Sequence, residues 1–356
     1  MGVLRYFLAC IVIINHSAPL FGFVFTDAYV ALKIFFIISG FYMSLILSNK
    51  YTGPGSYQLF LTNRLLRLFP TYLAVFVLCI LFSLASHFIL NKWFFLGTWI
   101  TYWKDMKPLS VFYMLFSNLA IVGQDLCFFT ELAPSGSMAF STDALFAPIP
   151  MWIFLIVPQA WTLNLEIMFY LLAPFLVRRR FPLLFALIMF SAVLRVFFEA
   201  TTLPYDPWRM RFFPAEFCFF LLGILSHRIY RGLDRIRLSR RLENMIIAFY
   251  FACLFFYQYL PANKLKETFI FGLSVLVIPL LFARTKHNRL DRTIGELSYP
   301  MYISQFFTIA MVQFYWGMHQ YALVSLIVTT LLSIGLNEVV MKPVERYRQK
   351  RLYATL

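Results

Sequence analysis

The chain has 356 residues, 61% of them hydrophobic and only 13% charged, with a mean hydropathy of +0.74. Soluble domains carry about a quarter charged residues, so this composition excludes a soluble globular or disordered chain and requires an integral membrane protein. The net charge of +15 would indicate nucleic acid in a soluble protein. Here the basic residues punctuate apolar runs, where the positive-inside rule accounts for them, and no nucleic-acid partner is implied. The five cysteines (Cys10, Cys79, Cys127, Cys218, Cys253) have no CxxC or Cys/His spacing, so neither a disulfide framework nor a metal site is expected.

The first apolar stretch, residues 3–22, reads as a helix leaving the cytoplasm, interrupted by Arg5 and His16. Ten residues separate the two, which returns them to one helix face, roughly 16 Å apart along the axis. Arg5 is therefore expected at an interface and His16 about halfway through a ~30 Å hydrocarbon core. A polar group that deep is costly and usually functional; a buried histidine satisfied by a neighbouring helix is the other reading. The stretch lacks the charged n-region and cleavage site of a signal peptide, so it is expected to be retained. Tyr6 stands where a myristoylation signal needs Ser or Thr.

A second span, 29–48, carries Lys33 near its start and Ser39-Gly40 in its middle. The lysine is expected to snorkel to the outer interface, and the small pair permits close helix approach or a local kink. Lys50, Arg64 and Arg67 then lie inside, and a third span, 68–90, goes out. Arg64 and Arg67, at i and i+3 on one helix face, suit bidentate recognition of phosphate, although an ordinary positive-inside flank looks the same. Residues 110–129 are apolar too, but a full crossing there would place Arg178-Arg179-Arg180 outside. That segment is expected to be re-entrant or to lie on the outer surface.

Further spans at 152–177, 181–199, 212–230, 244–260, 268–283, 297–316 and 321–341 complete about ten crossings, with both termini cytoplasmic. The arrangement places 22 of the 31 Lys and Arg residues on inner segments and seven on outer ones. The fold class is thus all-α, a polytopic helical bundle forming one domain over 1–356 with a basic cytoplasmic tail at 342–356. In the fourth span, Thr162, Glu166 and Tyr170 recur every four residues and share a face. A carboxylate in an apolar run needs a partner or a function. At similar depth, His16, Glu166 and a tyrosine hydroxyl could form a proton-transfer group.

Six motifs in order carry a resemblance. They are Arg-x10-His (Arg5, His16), FFIISGF around Ser39, and R-x-x-R-x-x-P-x-Y from Arg64 and Arg67. W-T-L-x-x-E-x-x-FY follows at Trp161, Thr162, Glu166 and Tyr170, then G-x-x-SY-x-x-Y at Ser298, Tyr299 and Tyr302, and a closing Pro-x-Glu at Pro343. Together they resemble the membrane acyltransferase-3 family, across nearly the whole chain. The resemblance implies a ten-helix O-acyltransferase of the bacterial inner membrane. It would move an acyl group, usually acetyl, from cytoplasmic acyl-CoA, a cosubstrate rather than a resident cofactor, to a hydroxyl on a carbohydrate. Acceptors in such proteins include O-antigen, exopolysaccharide, peptidoglycan sugars and small glycosylated metabolites, and a carbohydrate or lipid-linked glycan is the expected partner. Arg5 and His16 would be the essential pair, Arg64 and Arg67 would face the CoA donor, and Glu166 would belong to the central motif.

Three departures stand out. Lys33 replaces an acidic residue before the FF run, Gln305 stands where many members have a histidine, and no esterase-like domain follows before Leu356. The last implies acceptor handling within the membrane domain. The expected mechanism has His16 as general base or, alternatively, as transient acyl carrier, with Arg5 holding a CoA phosphate or lining the donor path. An imidazole with an ordinary pKa of about 6.5 suits proton removal from a sugar hydroxyl near neutral pH. A glycolipid flippase, or a structural membrane protein with merely paired buried charges, would use the same polar groups differently.

Overall fold

The computed structural model describes residues 1–203, 205–233, 238–261, 264–316 and 321–353. The helices of its first half are α1 (Gly2–His16), α2 (Ala28–Asn49), α3 (Ser56–Leu90), α4 (Gly97–Tyr102), α5 (Pro108–Ala120), α6 (Trp161–Leu176) and α7 (Phe181–Ala200). Then come α8 (Tyr205–Trp208), α9 (Phe213–Gly232), α10 (Arg240–Phe255), α11 (Lys264–Thr285), α12 (Arg289–Glu296), α13 (Ser298–Trp316), α14 (Tyr321–Leu336) and α15 (Lys342–Tyr353). A short antiparallel hairpin, β1 (Thr130–Leu132) with β2 (Met138–Phe140), is the one departure from an all-α fold among the described residues. Five of these helices, α2, α3, α7, α11 and the run Tyr321–Leu352, are long and apolar enough to cross a membrane, and α1 and α5 are shorter apolar helices.

In three helices, bounds that differ from the sequence reading have an evident local reason. α1 stops at His16 rather than continuing to residue 22. Pro19 disfavours helical geometry at Ala18, and the Ser17 hydroxyl turns back onto the Ile13 and Ile14 carbonyls at 2.8 and 3.2 Å. His16 is therefore the exposed last residue of α1. α6 opens at Trp161 rather than 152, because the residues that follow Pro150 and start at Pro158 form 3-10 turns. α5 has 13 residues, about 20 Å of helix, short of a ~30 Å core.

The chain packs as two compact units. One comprises Met1–Phe60, Ala173–Ile188 and Phe219–Pro343. In it α1 lies against α2, α12, α13 and α14, with Ala9, Ile13, Met301 and Ile309 buried together between them. Glycine makes two of these approaches possible. A Cβ on Gly40 would sit 2.0 Å from the Phe220 carbonyl oxygen, and one on Gly223 2.1 Å from that of Ile37. The Ser39-Gly40 pair is thus a helix-contact feature, as small residues in membrane helices commonly are. At the other contact, a Cβ on Gly295 would meet the Gly2 Cα at 2.5 Å.

Neighbouring contacts fix helix direction within this unit. Arg5 meets Ser298 and His16 meets Gln305, so α1 and α13 run the same way. Gly40 meets Phe220 and Ser44 meets His227 at 2.8 Å, so α2 and α9 are also parallel. Lys33 does not snorkel. It is fully buried, its ammonium 4.6 Å from the Tyr29 ring centroid and 5.5 Å from that of Phe36. These rings, four residues before and three after it, cover the charge through cation–π contact.

The second unit comprises Leu61–Leu172, Met189–Cys218 and Val344–Leu356. Its irregular stretches are braced by buried amides, since a buried backbone group without a partner costs as much as a lost hydrogen bond. The Asn118 side chain donates to the Phe154 carbonyl at 3.1 Å and accepts from the Ile156 amide at 2.9 Å. Arg195, on α7, pairs with the fully buried Glu216 at 2.6 Å. The basic tail is anchored as well, Arg351 reaching Thr62 at 3.0 Å and Asn63 at 3.2 Å.

Candidate active site

In the first unit, α1 carries the two ionisable groups and α13 receives them. The N-terminus of α1 is fixed by Asp291, whose carboxylate accepts the Gly2 and Val3 amides at 2.8 and 3.0 Å. A carboxylate there satisfies orphan amides and opposes the helix dipole. One turn on, the Arg5 guanidinium donates to the Ser298 hydroxyl at 2.8 Å, which itself donates to the Gly295 carbonyl at 2.7 Å. Ser298 thus orients the arginine. At the far end of α1, His16 Nδ1 lies 3.2 Å from Gln305 Oε1, and its ring centroid is 4.8 Å from that of Phe306.

Gln305 is fully buried, and its amide oxygen only accepts hydrogen bonds. The tautomer that donates to this oxygen carries its proton on Nδ1 and its lone pair on Nε2. The sequence reading treated Gln305 as the loss of a histidine and missed this contact. A signal was available. Gln305 lies seven residues, two helical turns, after Ser298, on the face that receives Arg5.

The second unit holds the other group. The buried Tyr170 hydroxyl is hydrogen-bonded to Glu166, and Arg64 and Arg67 both act on it electrostatically. Arg64 is buried and Arg67 half-buried, so the i, i+3 pair on α3 and the i, i+4 pair on α6 converge. The Thr162 hydroxyl donates to the Gln159 carbonyl at 3.0 Å, closing the first turn of α6. Trp161 lies under the Arg211 guanidinium at 4.4 Å, which also covers Phe128 at 3.7 Å. Asp206 grips Arg211 through both oxygens, at 2.6 and 2.7 Å.

A strap holds the start of α6 in place. Asn164 accepts the Gly123 amide at 3.2 Å and donates to Asp125 at 2.6 Å. Burial pushes the Asp125 carboxyl up from the ordinary carboxylate range to about 6.

His16 pairs with Gln305 in one unit, and Glu166 with Tyr170 in the other. Ser39, Tyr299 and Tyr302 are half-buried on α2 and α13. Among the described residues no group of three His, Cys, Asp or Glu side chains is arranged to hold a metal ion.

Compared with known proteins, the chain matches the sequence model of the acyltransferase-3 family, described as an acyltransferase domain, over residues 1–338. No curated protein and no solved structure matches it.

Proposed function

The chain belongs to the acyltransferase-3 family, and from that premise we propose that it transfers an acyl group, most simply acetyl, from cytoplasmic acyl-CoA to a hydroxyl of a cell-surface glycan or glycolipid. The observation that carries the reading is the contact between His16 Nδ1 and Gln305 Oε1 at an exposed helix end. In a neutral imidazole that donates from Nδ1 the basic lone pair is on Nε2, the arrangement a general base requires. The acceptor hydroxyl attacks the thioester carbonyl as its proton passes to His16 Nε2. The carbon–sulfur bond then breaks, and the CoA thiolate leaves with the proton that His16 returns. The acyl group ends as an ester on the sugar, and the imidazole is regenerated.

Arg5, Arg64 and Arg67 hold donor phosphates, and Glu166 with Tyr170 sets the arginine geometry on α3 and α6. Both units act as one acyltransferase domain, since the family match runs through segments of each. The topology is ten crossings with cytoplasmic termini, in the bacterial inner membrane. Two parallel pairs support it. α1 with α13, and α2 with α9, run in common directions. A full crossing by α5 would reverse the second member of each pair.

The test is direct. Purified protein given acetyl-CoA and O-antigen polysaccharide should release CoA thiol and add one acetyl mass to the glycan, and the His16→Ala variant should do neither at a comparable rate. A flippase would release no CoA from either form, and that outcome would overturn the reading.

A further inference from the structure

α5 is two-faced in a way that nothing described so far uses. Ser110, Met114, Ser117 and Asn118 are buried, whereas Leu109, Phe112, Leu115, Phe116 and Leu119 are exposed, from 46% for Phe116 to 77% for Leu109. These recur at three- and four-residue spacing, so they form one continuous apolar stripe. Beside the stripe runs an open groove of about 540 Å³, lined by Trp103, Lys104, Met106, Val111, Phe112 and Leu115. That volume lies within the roughly 300–1,000 Å³ of small-molecule sites.

Every residue that lines the groove is apolar except Lys104. Lys104 lines it, and Lys107, just before α5, is exposed close by in the chain, with the exposed Asp105 between them. An apolar stripe alone cannot select among lipids, because every lipid tail is equally apolar. An exposed lysine in the lining can, because it distinguishes headgroup charge. We propose that this groove docks one outer-leaflet lipid with a phosphate headgroup, its chain lying between Trp103 and Leu115 and its phosphate on Lys104, and that this lipid is the anchor of the glycan acceptor. The acceptor half rests on the transferase reading above; the docking half does not.

The test uses the full chain in phosphatidylcholine nanodiscs with two photoactivatable probes, a diazirine-bearing phosphatidic acid and the matching phosphatidylcholine. Peptide mapping should find residues 103–115 labelled at least about fivefold more by the phosphatidic acid, the ratio one surface lysine supplies toward an anionic headgroup. Lys104→Glu should abolish that preference. Val111→Trp, which fills the groove, should reduce labelling by both probes, and both variants should elute as monodisperse protein. Equal labelling by the two probes in the unaltered protein would mean ordinary boundary lipid and would overturn the docking site, as would undiminished labelling in both variants.

A second measurement separates the two readings. Val111→Trp should raise the KM for a lipid-phosphate-linked glycan about tenfold while leaving kcat, and the KM for the same glycan cut from its lipid, unchanged. Equal KM values for both acceptors in both proteins would overturn the anchor role. Absence of transfer to any acceptor would overturn the transferase reading, while the labelling pattern would still decide the docking site.

Discussion

The polar groups of the two units are built on opposite principles. At the end of α1, one titratable side chain stands exposed and is held by a neutral amide, Gln305. Between α3 and α6, two guanidiniums, a carboxylate and a phenol gather with mutual compensation, and Tyr170 and Arg64 are buried. A base must be able to change charge, so a neutral partner that fixes the ring without opposing either charge state suits it. Charges that only hold a shape or an anion work best when opposing charges neutralise them. On the function proposed above, the contrast separates the group that would react from the groups that would position.

The largest expected effect tests the reacting side of that contrast. His16→Ala should leave a folded, membrane-inserted protein whose transfer rate falls by roughly 10²–10⁴, the usual contribution of general acid–base catalysis. His16→Gln should be nearly as poor, because an amide cannot take a proton. CoA-thiol release measures both, and full activity in a well-expressed alanine variant would pass the base role to Glu166.

Next in size is the strap under α6. The Asp125 carboxyl, 7% exposed, is raised from 3.8 to about 6. Between those values the folded protein holds a proton that the unfolded chain has released, so stability falls as pH rises from about 4 to about 6 and then levels. A shift of about two units corresponds to on the order of 2–3 kcal/mol. Asp125→Asn should flatten this slope. Thermal unfolding of the detergent-solubilised protein at pH 4.5 and 7 would show it, and an identical pH dependence in the two proteins would remove Asp125 as the cause.

The positioning side is tested by the arginines. Arg64→Ala or Arg67→Ala should weaken acyl-CoA binding by about 1.5–3 kcal/mol, the range for hydrogen bonds to charged groups. Lysine should restore only part, since the planar fork is lost. If calorimetry finds donor affinity unchanged in both alanine variants, the phosphates bind elsewhere. The smallest effect belongs to Gln305→Ala. Losing a neutral hydrogen bond of about 1 kcal/mol should lower the rate only several-fold with the acyl-CoA KM unchanged. A loss as large as that of His16→Ala would make Gln305 more than an orienting group.

Much of this was legible in the chain. The composition demanded a membrane protein, and the helix of the Ser39-Gly40 motif packs closely because Gly40 permits it. The four-residue spacing of Glu166 and Tyr170 anticipated their hydrogen bond. The fate of Lys33 was not legible, because snorkelling and burial under aromatic rings share one sequence pattern and differ only in what packs alongside. The end of α1 at His16 was not legible either, because hydropathy continues past the residue where Pro19 ends the helix. Hydropathy measures solvent preference and does not register backbone geometry.

The sequence by itself determined helix content, the membrane environment, the family and the residue types available for chemistry, because apolar periodicity, charge placement and motif spacing are local or statistical properties of the chain. Only the tertiary structure decided which groups meet: Arg5 with Ser298, His16 with Gln305, and Arg64 and Arg67 with Tyr170. Those pairs lie up to 293 residues apart, and nothing in the spacing along one helix specifies the register of another. In the first unit that register is set by close backbone approaches at Gly2, Gly40, Gly223 and Gly295, where packing admits one alignment and excludes its neighbours.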